Sequence, residues 1–124
     1  MRNWTAEELD RIGAADELEI AALDPDGTLR PATTIWVVRV GDDLYVRSYR
    51  GRAGHWFRSV LRRPEGRIRA GGLTRDVAFQ EPDDADHAAI DHAYQTKYAR
   101  YDRSYVDPMV SSDATAATLR LIPS

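Results

Sequence analysis

The stretch that most constrains this chain lies between residues 33 and 63. Thr33 to Val40 is rich in β-branched and aromatic residues, Gly41-Asp42-Asp43 supplies turn chemistry, and Leu44 to Tyr49 is a second run of strand formers, which together predict a β-hairpin. The hairpin delivers Arg47-Ser48-Tyr49-Arg50-Gly51-Arg52 to a helical pattern, His55-Trp56-Phe57-Arg58-Ser59-Val60-Leu61, that Pro64 stops. A helix N-terminus is already positive, through its free N–H groups and its dipole, so Arg50 and Arg52 beside it cost stability unless something negative sits among them. A phosphate or carboxylate supplies that charge. The competing reading of Arg47 and Arg50 is of solvent-facing strand residues paired with Asp42, Asp43 or Glu65, and such surface pairs contribute little.

Chain length sets the next limit. The 124 residues, numbered 1–124, are expected to form a single domain with a core of its own. Hydrophobic residues at 43% and charged residues at 30% are ordinary globular usage, with no low-complexity tract. No apolar run has the length of a membrane span, and the N-terminal residues are acidic and amphipathic, so a cytoplasmic protein without membrane contacts is expected. The absence of cysteine removes disulfides, thiolate catalysis and sulfur-rich metal sites. All but one of the 17 basic residues are arginines, many of them between Arg39 and Arg75, yet the net charge is -3. A duplex-binding protein is usually basic overall, so a small anionic ligand suits the chain better than nucleic acid. Arginine over lysine also fits a GC-rich genome, which explains the count without explaining the placement.

The remaining segments follow from capping and alternation. Thr5 and Glu8 form a capping box for a helix that runs to about Ile12, ends at Gly13, and turns Trp4, Leu9 and Ile12 inward. Glu17 to Leu23 reads as a strand, and Asp24-Pro25-Asp26-Gly27 as a turn. Gly66 to Ala70, the Gly71-Gly72 reversal and Arg75 to Gln80 form a second hairpin. Asp83-Asp84 is expected to cap a long helix from about Ala85 to Arg100, Tyr101 to Asp113 to be a loop, and Thr115 to Ile122 to be a closing strand. About six strands in hairpins with about three helices give an α+β class, with an antiparallel sheet able to close as a small barrel.

Other constellations carry less. His87 and Asp91 share a helix face, but His92 lies roughly 140° around the helix from His87, so the three cannot form one coordination sphere, no metal site is expected, and a solvated face fits them better. Tyr94, Tyr98 and Tyr101 make an aromatic stripe that should dock on the barrel or on a second subunit. For Trp36, Tyr45, Tyr49 and Trp56 a core role competes with any ligand role. His55 is a candidate phosphate donor, although a lone histidine near a helix start is more often a surface residue. No serine sits in a nucleophile elbow, and the glycines lack the spacing of a dinucleotide fingerprint or a P-loop.

The segment Arg30-Pro31-Ala32-Thr33-Thr34-Ile35-Trp36-Val37, the run Asp43-Leu44-Tyr45-Val46-Arg47-Ser48-Tyr49-Arg50-Gly51 and the helix start His55-Trp56-Phe57 occur in an order that resembles the flavin-binding split β-barrels. Within that pyridoxamine-phosphate-oxidase-like and nitroreductase-like superfamily, the chain is most similar to the small bacterial proteins of domain-of-unknown-function family 2255. The resemblance implies a six-stranded antiparallel split barrel, a homodimer, and FMN or a deazaflavin lying in a groove near the dimer interface. By the same resemblance the cofactor phosphate lies near Arg47, Ser48, Tyr49, Arg50 and Gly51 and the helix start at His55 and Trp56, while Thr33, Thr34 and Trp36 approach the ring system. The cofactor would carry the hydride to a small electron-poor substrate, with the chain orienting it. No catalytic residue is assigned. The alternative is a dimeric module that carries a phosphorylated ligand, or binds none.

Overall fold

The computed structural model describes residues 3–124. Its strands are β1 (Leu18–Ala22), β2 (Thr33–Ile35), β3 (Val38–Val40), β4 (Asp43–Arg47), β5 (Glu65–Ala70), β6 (Leu73–Gln80) and β7 (Thr118–Pro123). They form one antiparallel sheet in the order β2-β1-β5-β6-β7-β4-β3. The two strands at the ends of that order are consecutive in the chain. β2 pairs with β1, β3 pairs with β4, and only Trp36 and Val37 separate them. The run predicted as one strand from Thr33 to Val40 therefore belongs to both edges of the sheet and curls it into a split barrel. This crossing is also why seven strands are found where six were expected.

A residue that leaves one strand ladder for another loses its backbone partners, and these must be replaced if it is buried. Val37 is fully buried. Its N–H donates to the Tyr98 hydroxyl at 3.2 Å and its carbonyl accepts from Lys97 Nζ at 2.6 Å. The Tyr98 hydroxyl donates in turn to the Asp16 carbonyl at 2.7 Å. Lys97 is the last residue of α3 (His87–Lys97) and Tyr98 its C-cap.

The barrel interior is filled by the alternating inward residues of the strands, among them Leu18, Ile20, Leu44, Val46, Ile68, Val77, Leu119 and Leu121. Helix α1 (Ala6–Ala14) adds Leu9 and Ile12, and α2 (His55–Arg62) adds Phe57 and Val60. The capping box of α1 is present in both directions, and Trp4 donates its indole N–H to the Leu121 carbonyl at 2.9 Å. Gly13 does not end α1, which continues to Ala14; a Cβ at Gly13 would press on the Arg39 side chain. In β5 the alternation requires Gly66 to face inward, where a Cβ would overlap the Ala21 carbonyl oxygen.

The opposite face of β3 and β4 carries a second core, in which Val38 and Tyr45 meet Ile90, Tyr94 and Tyr98 of the α3 region with Val106 and Met109. The tyrosine stripe thus docks on the barrel, with Tyr94 and Tyr98 fully buried and Tyr101 at its margin. Two expectations change here. The cap of α3 is Asp86, whose carboxylate accepts from the Ala89 N–H, whereas Asp84 pairs with Arg120 at 3.1 Å. The segment expected to be a loop holds α4 (Arg103–Val106), a 3-10 turn (Asp107–Val110) and α5 (Ser112–Thr115), capped by Asp102 and Ser111. Five α-helices therefore flank the sheet instead of three.

Burial pushes the Lys97 ammonium down to about 8, below its ordinary range. Between that value and the unfolded one, the unfolded chain binds more protons, so unfolding free energy rises with pH across this window. Urea unfolding at pH 7.5, 8.5 and 9.5 should therefore show the wild type gaining stability relative to Lys97→Met as pH rises. Parallel curves for the two proteins would show that Lys97 is solvated.

Candidate functional site

β4 ends at Arg47, and the next residues hold the chain in a narrow turn. The Ser48 N–H donates to the Ala117 carbonyl at 3.2 Å, and the Gly51 N–H returns to the Ser48 carbonyl at 3.0 Å. Gly51 adopts φ +67°, a left-handed conformation that glycine accepts without strain, and opens a 3-10 turn through Ala53. The chain then passes so close to Ser48 that a Cβ at Gly54 would overlap the Ser48 hydroxyl. α2 starts there. Its N-cap is Gly54, without a side-chain hydrogen bond, whereas α1, α3, α4 and α5 are capped by Thr5, Asp86, Asp102 and Ser111.

This start opens into a cleft of about 530 Å³. One wall is the edge strand β2 and the step after it, with Thr33, Thr34, Ile35 and Trp36; the other is Ser48, Tyr49 and Arg50 with Gly54, His55 and Trp56; Arg47, Met109 and Tyr105 complete the lining. Every site residue expected from the sequence lines this cleft except Gly51, which is buried against Asp113 behind it. Ile35, Gly54, Tyr105 and Met109 were not anticipated. The last two come from the short helical turns that the sequence presents as a loop.

The lining residues differ in how free they are. Trp36 is fixed: its ring stacks on Tyr98 with centroids 3.9 Å apart and planes 5° from parallel, and Tyr101 leans on it at 5.3 Å. The Ser48 side chain is buried, with its hydroxyl against Gly54. Arg50 is exposed and has no ion-pair partner among them. Tyr49 and Tyr105 stand at the rim, 58% and 62% exposed.

Arg47 is placed otherwise than either sequence reading had it. It is fully buried, and its guanidinium is held by the chain itself. Nε donates to the Thr118 hydroxyl at 3.0 Å, and Nη1 to Asp91 Oδ1 at 2.5 Å and to the Met109 carbonyl at 3.0 Å. Nη2 lies 3.3 Å from His87 Nδ1, and the guanidinium carbon sits 5.6 Å from the Tyr94 ring centre. His87 and Asp91 therefore share a face as expected, but that face meets Arg47 and is only partly exposed to solvent. His92 lies apart, beside Thr96. No metal-binding cluster occurs among the described residues.

An antiparallel sheet closed by one strand shared between its edges, with a cleft between that strand and an uncapped helix start, defines a split β-barrel protein with a preformed pocket. The chain belongs to the family described as "Uncharacterized protein conserved in bacteria (DUF2255)", whose model matches residues 8–121. Among solved structures it is similar to a FAD-binding protein from Mesorhizobium loti (TM-score 0.61, 16% identity, 99% of this chain and 92% of that one). It is also similar to HutZ, the heme storage protein from Vibrio cholerae (TM-score 0.62, 14% identity, 99% and 92%), and to an F420 reductase (TM-score 0.55, 14% identity, 94% and 92%). Likenesses at this identity establish the fold. No curated protein sequence matches the chain.

Asp91 is one-third exposed while Arg47 is sealed, so removing the carboxylate strands a buried cation. Asp91→Ala should lower the unfolding free energy by about 2–3 kcal/mol, somewhat below the cost of breaking a fully buried pair. Arg50→Ala should change it by less than about 0.5 kcal/mol, as for an unpartnered surface residue. Equal effects in urea unfolding would contradict the division of the two arginines into a buried structural cation and a free one.

Proposed function

We propose that the cleft binds a flavin-type cofactor, FMN or a deazaflavin, and that the protein acts as an oxidoreductase on small electron-poor substrates. The observation that carries the reading is the joining, in one cleft, of an uncapped helix start, a guanidinium without a carboxylate partner and a flat, immobilised aromatic wall. The donors suit a phosphate: Ser48, Arg50 and the first N–H groups of α2 belong to one wall of the cleft. The facing wall suits a ring system, with Thr33 and Thr34 offering hydroxyls and Trp36 a face held by Tyr98.

When bound, such a cofactor supplies the hydride chemistry. The chain's own part is to position. Arg47 ties β4 to α3 and to Met109, fixing the wall of the cleft; Tyr98 fixes Trp36; Tyr49 and Tyr105 narrow the entrance. No acid–base pair is required of these residues, so a carrier role for the same site is the reading to be tested against turnover. We further propose a homodimer, in which a second copy covers the exposed Tyr49 and Tyr105 at the rim, acting in the cytoplasm. Among the described residues, no helix is long and apolar enough to cross a membrane.

Fluorescence titration against FMN and a deazaflavin cofactor in parallel should give saturable binding of at least one, weakened about tenfold by Arg50→Ala, the equivalent of about 1.4 kcal/mol. Binding without reduction of nitroaromatic acceptors would favour the carrier, and no binding of either would defeat the cofactor reading. Light scattering should report about twice 14.0 kDa. A monomer at high concentration would rule out the dimer.

A further inference from the structure

Beyond His55 and Trp56 the cleft has a neighbour. A smaller cavity of about 190 Å³ shares Thr33, His55 and Trp56 with the main cleft, and its own lining adds Arg30, Pro31 and Ser59 over a floor of Ile20 and Ala22. It meets the β2 wall at Thr33 and the start of α2 at His55 and Trp56, and the face of α2 that borders it carries His55, Ser59 and, one turn on from each, Arg58 and Arg62.

The ion pairs make this face unusual. Every other described arginine has a carboxylate within ion-pair distance, including Arg30, whose partner is Asp24. Among the described residues only Arg50, Arg58 and Arg62 have none. Arg58 reaches just to His55 Nδ1 at 3.4 Å and Arg62 to the Ser59 hydroxyl at 3.5 Å, so each guanidinium rests on a residue that lines the side cavity. Arginines that are paired elsewhere among the described residues are thus left unpaired at the main cleft, in Arg50, and in a row of two along the α2 face beside the side cavity.

We infer that this side cavity and the arginine row are a second subsite, which takes an anionic extension of the bound cofactor beyond its first phosphate. The inference rests on the cofactor reading above and sharpens it: the ligand is larger than a mononucleotide. The shared chemistry is a chain of negative charge continuing from the phosphate, as in the pyrophosphate-linked nucleotide of FAD or the polycarboxylate tail of a deazaflavin cofactor. Several guanidiniums in a row favour such a ligand over a single phosphate, because each added charge meets an unpaired donor.

The test compares riboflavin, FMN, FAD and a polyglutamate-tailed deazaflavin in fluorescence titrations of wild type and of the double variant Arg58→Gln/Arg62→Gln, with circular dichroism to verify folding. Wild type should bind at least one tailed ligand about tenfold or more tighter than FMN, and the double variant should lose most of that advantage while its FMN affinity changes less than about twofold. Which tailed ligand responds identifies the source of the charge. FMN binding as tightly as both tailed ligands, or a double variant that leaves their affinities unchanged, overturns the subsite while the cofactor reading stands. If none of the four binds, both fall together.

Discussion

One buried peptide, that of Val37, decides how this barrel closes. A strand shared between two edges has to change partners somewhere, and where it does, its N–H and carbonyl leave one ladder before the next begins. Unsatisfied in the core, each would cost on the order of 1–3 kcal/mol. Tyr98 and Lys97 take both groups, so the sheet can curl only with α3 laid against its outer face. The same contact turns Trp36 outward from the interior and stacks it on Tyr98. Barrel closure, helix docking and one wall of the cleft are therefore a single arrangement.

Arg47 does comparable work on the facing side. A guanidinium removed wholly from water is costly unless its donors are met, and here Asp91, Thr118, the Met109 carbonyl and His87 meet them from three directions. These partners come from α3, from the start of β7 and from the turn after α4, so the cation draws otherwise separate segments to the end of β4. The irregular stretch from Asp102 to Ala117 gains a fixed place beside the cleft, which is how Tyr105 and Met109 come to line it. The polar residues on the inner face of α3 also weaken its amphipathic pattern.

That weakening marks the limit of what the sequence discloses. The hairpin turns, the capping box, α2 and its stop are written locally, in turn residues, caps and a proline, and they stand where the residues place them, whereas the split of Thr33 to Val40 between two edges has no local mark. The cleft was legible for the same reason, since Thr33 to Trp36 and Arg47 to Trp56 are adjacent in the sequence or linked by one hairpin. The sequence offers Arg47 as an anion holder or as a solvent-facing strand residue, and it says nothing of the α3 face and the Met109 turn that bury it. Whether His87 and Asp91 meet water or a buried cation depends on contacts forty residues away. The helices after Tyr101 are single turns, too short to show a period, and of the acidic residues before α3 it is Asp86 that caps it while Asp84 turns to Arg120, a partner distant in the sequence.

The arginines divide along the same line. Most neutralise a carboxylate on a neighbouring strand or helix, as Arg67 does with Asp76 and Arg69 with Glu19, and these exposed pairs add little to stability individually. Their collective effect is electrostatic, because a surface on which nearly every cation is matched presents little local field. Against that background an unmatched guanidinium stands out to a diffusing anion, particularly where apolar walls lower the effective dielectric. Arg50 stands beside the uncapped α2 start and the walls of Trp36 and Trp56. The net charge of -3, which speaks against nucleic acid as a partner, is thus an average over a molecule whose unpaired arginines, among the described residues, are gathered at one cleft and the helix that borders it.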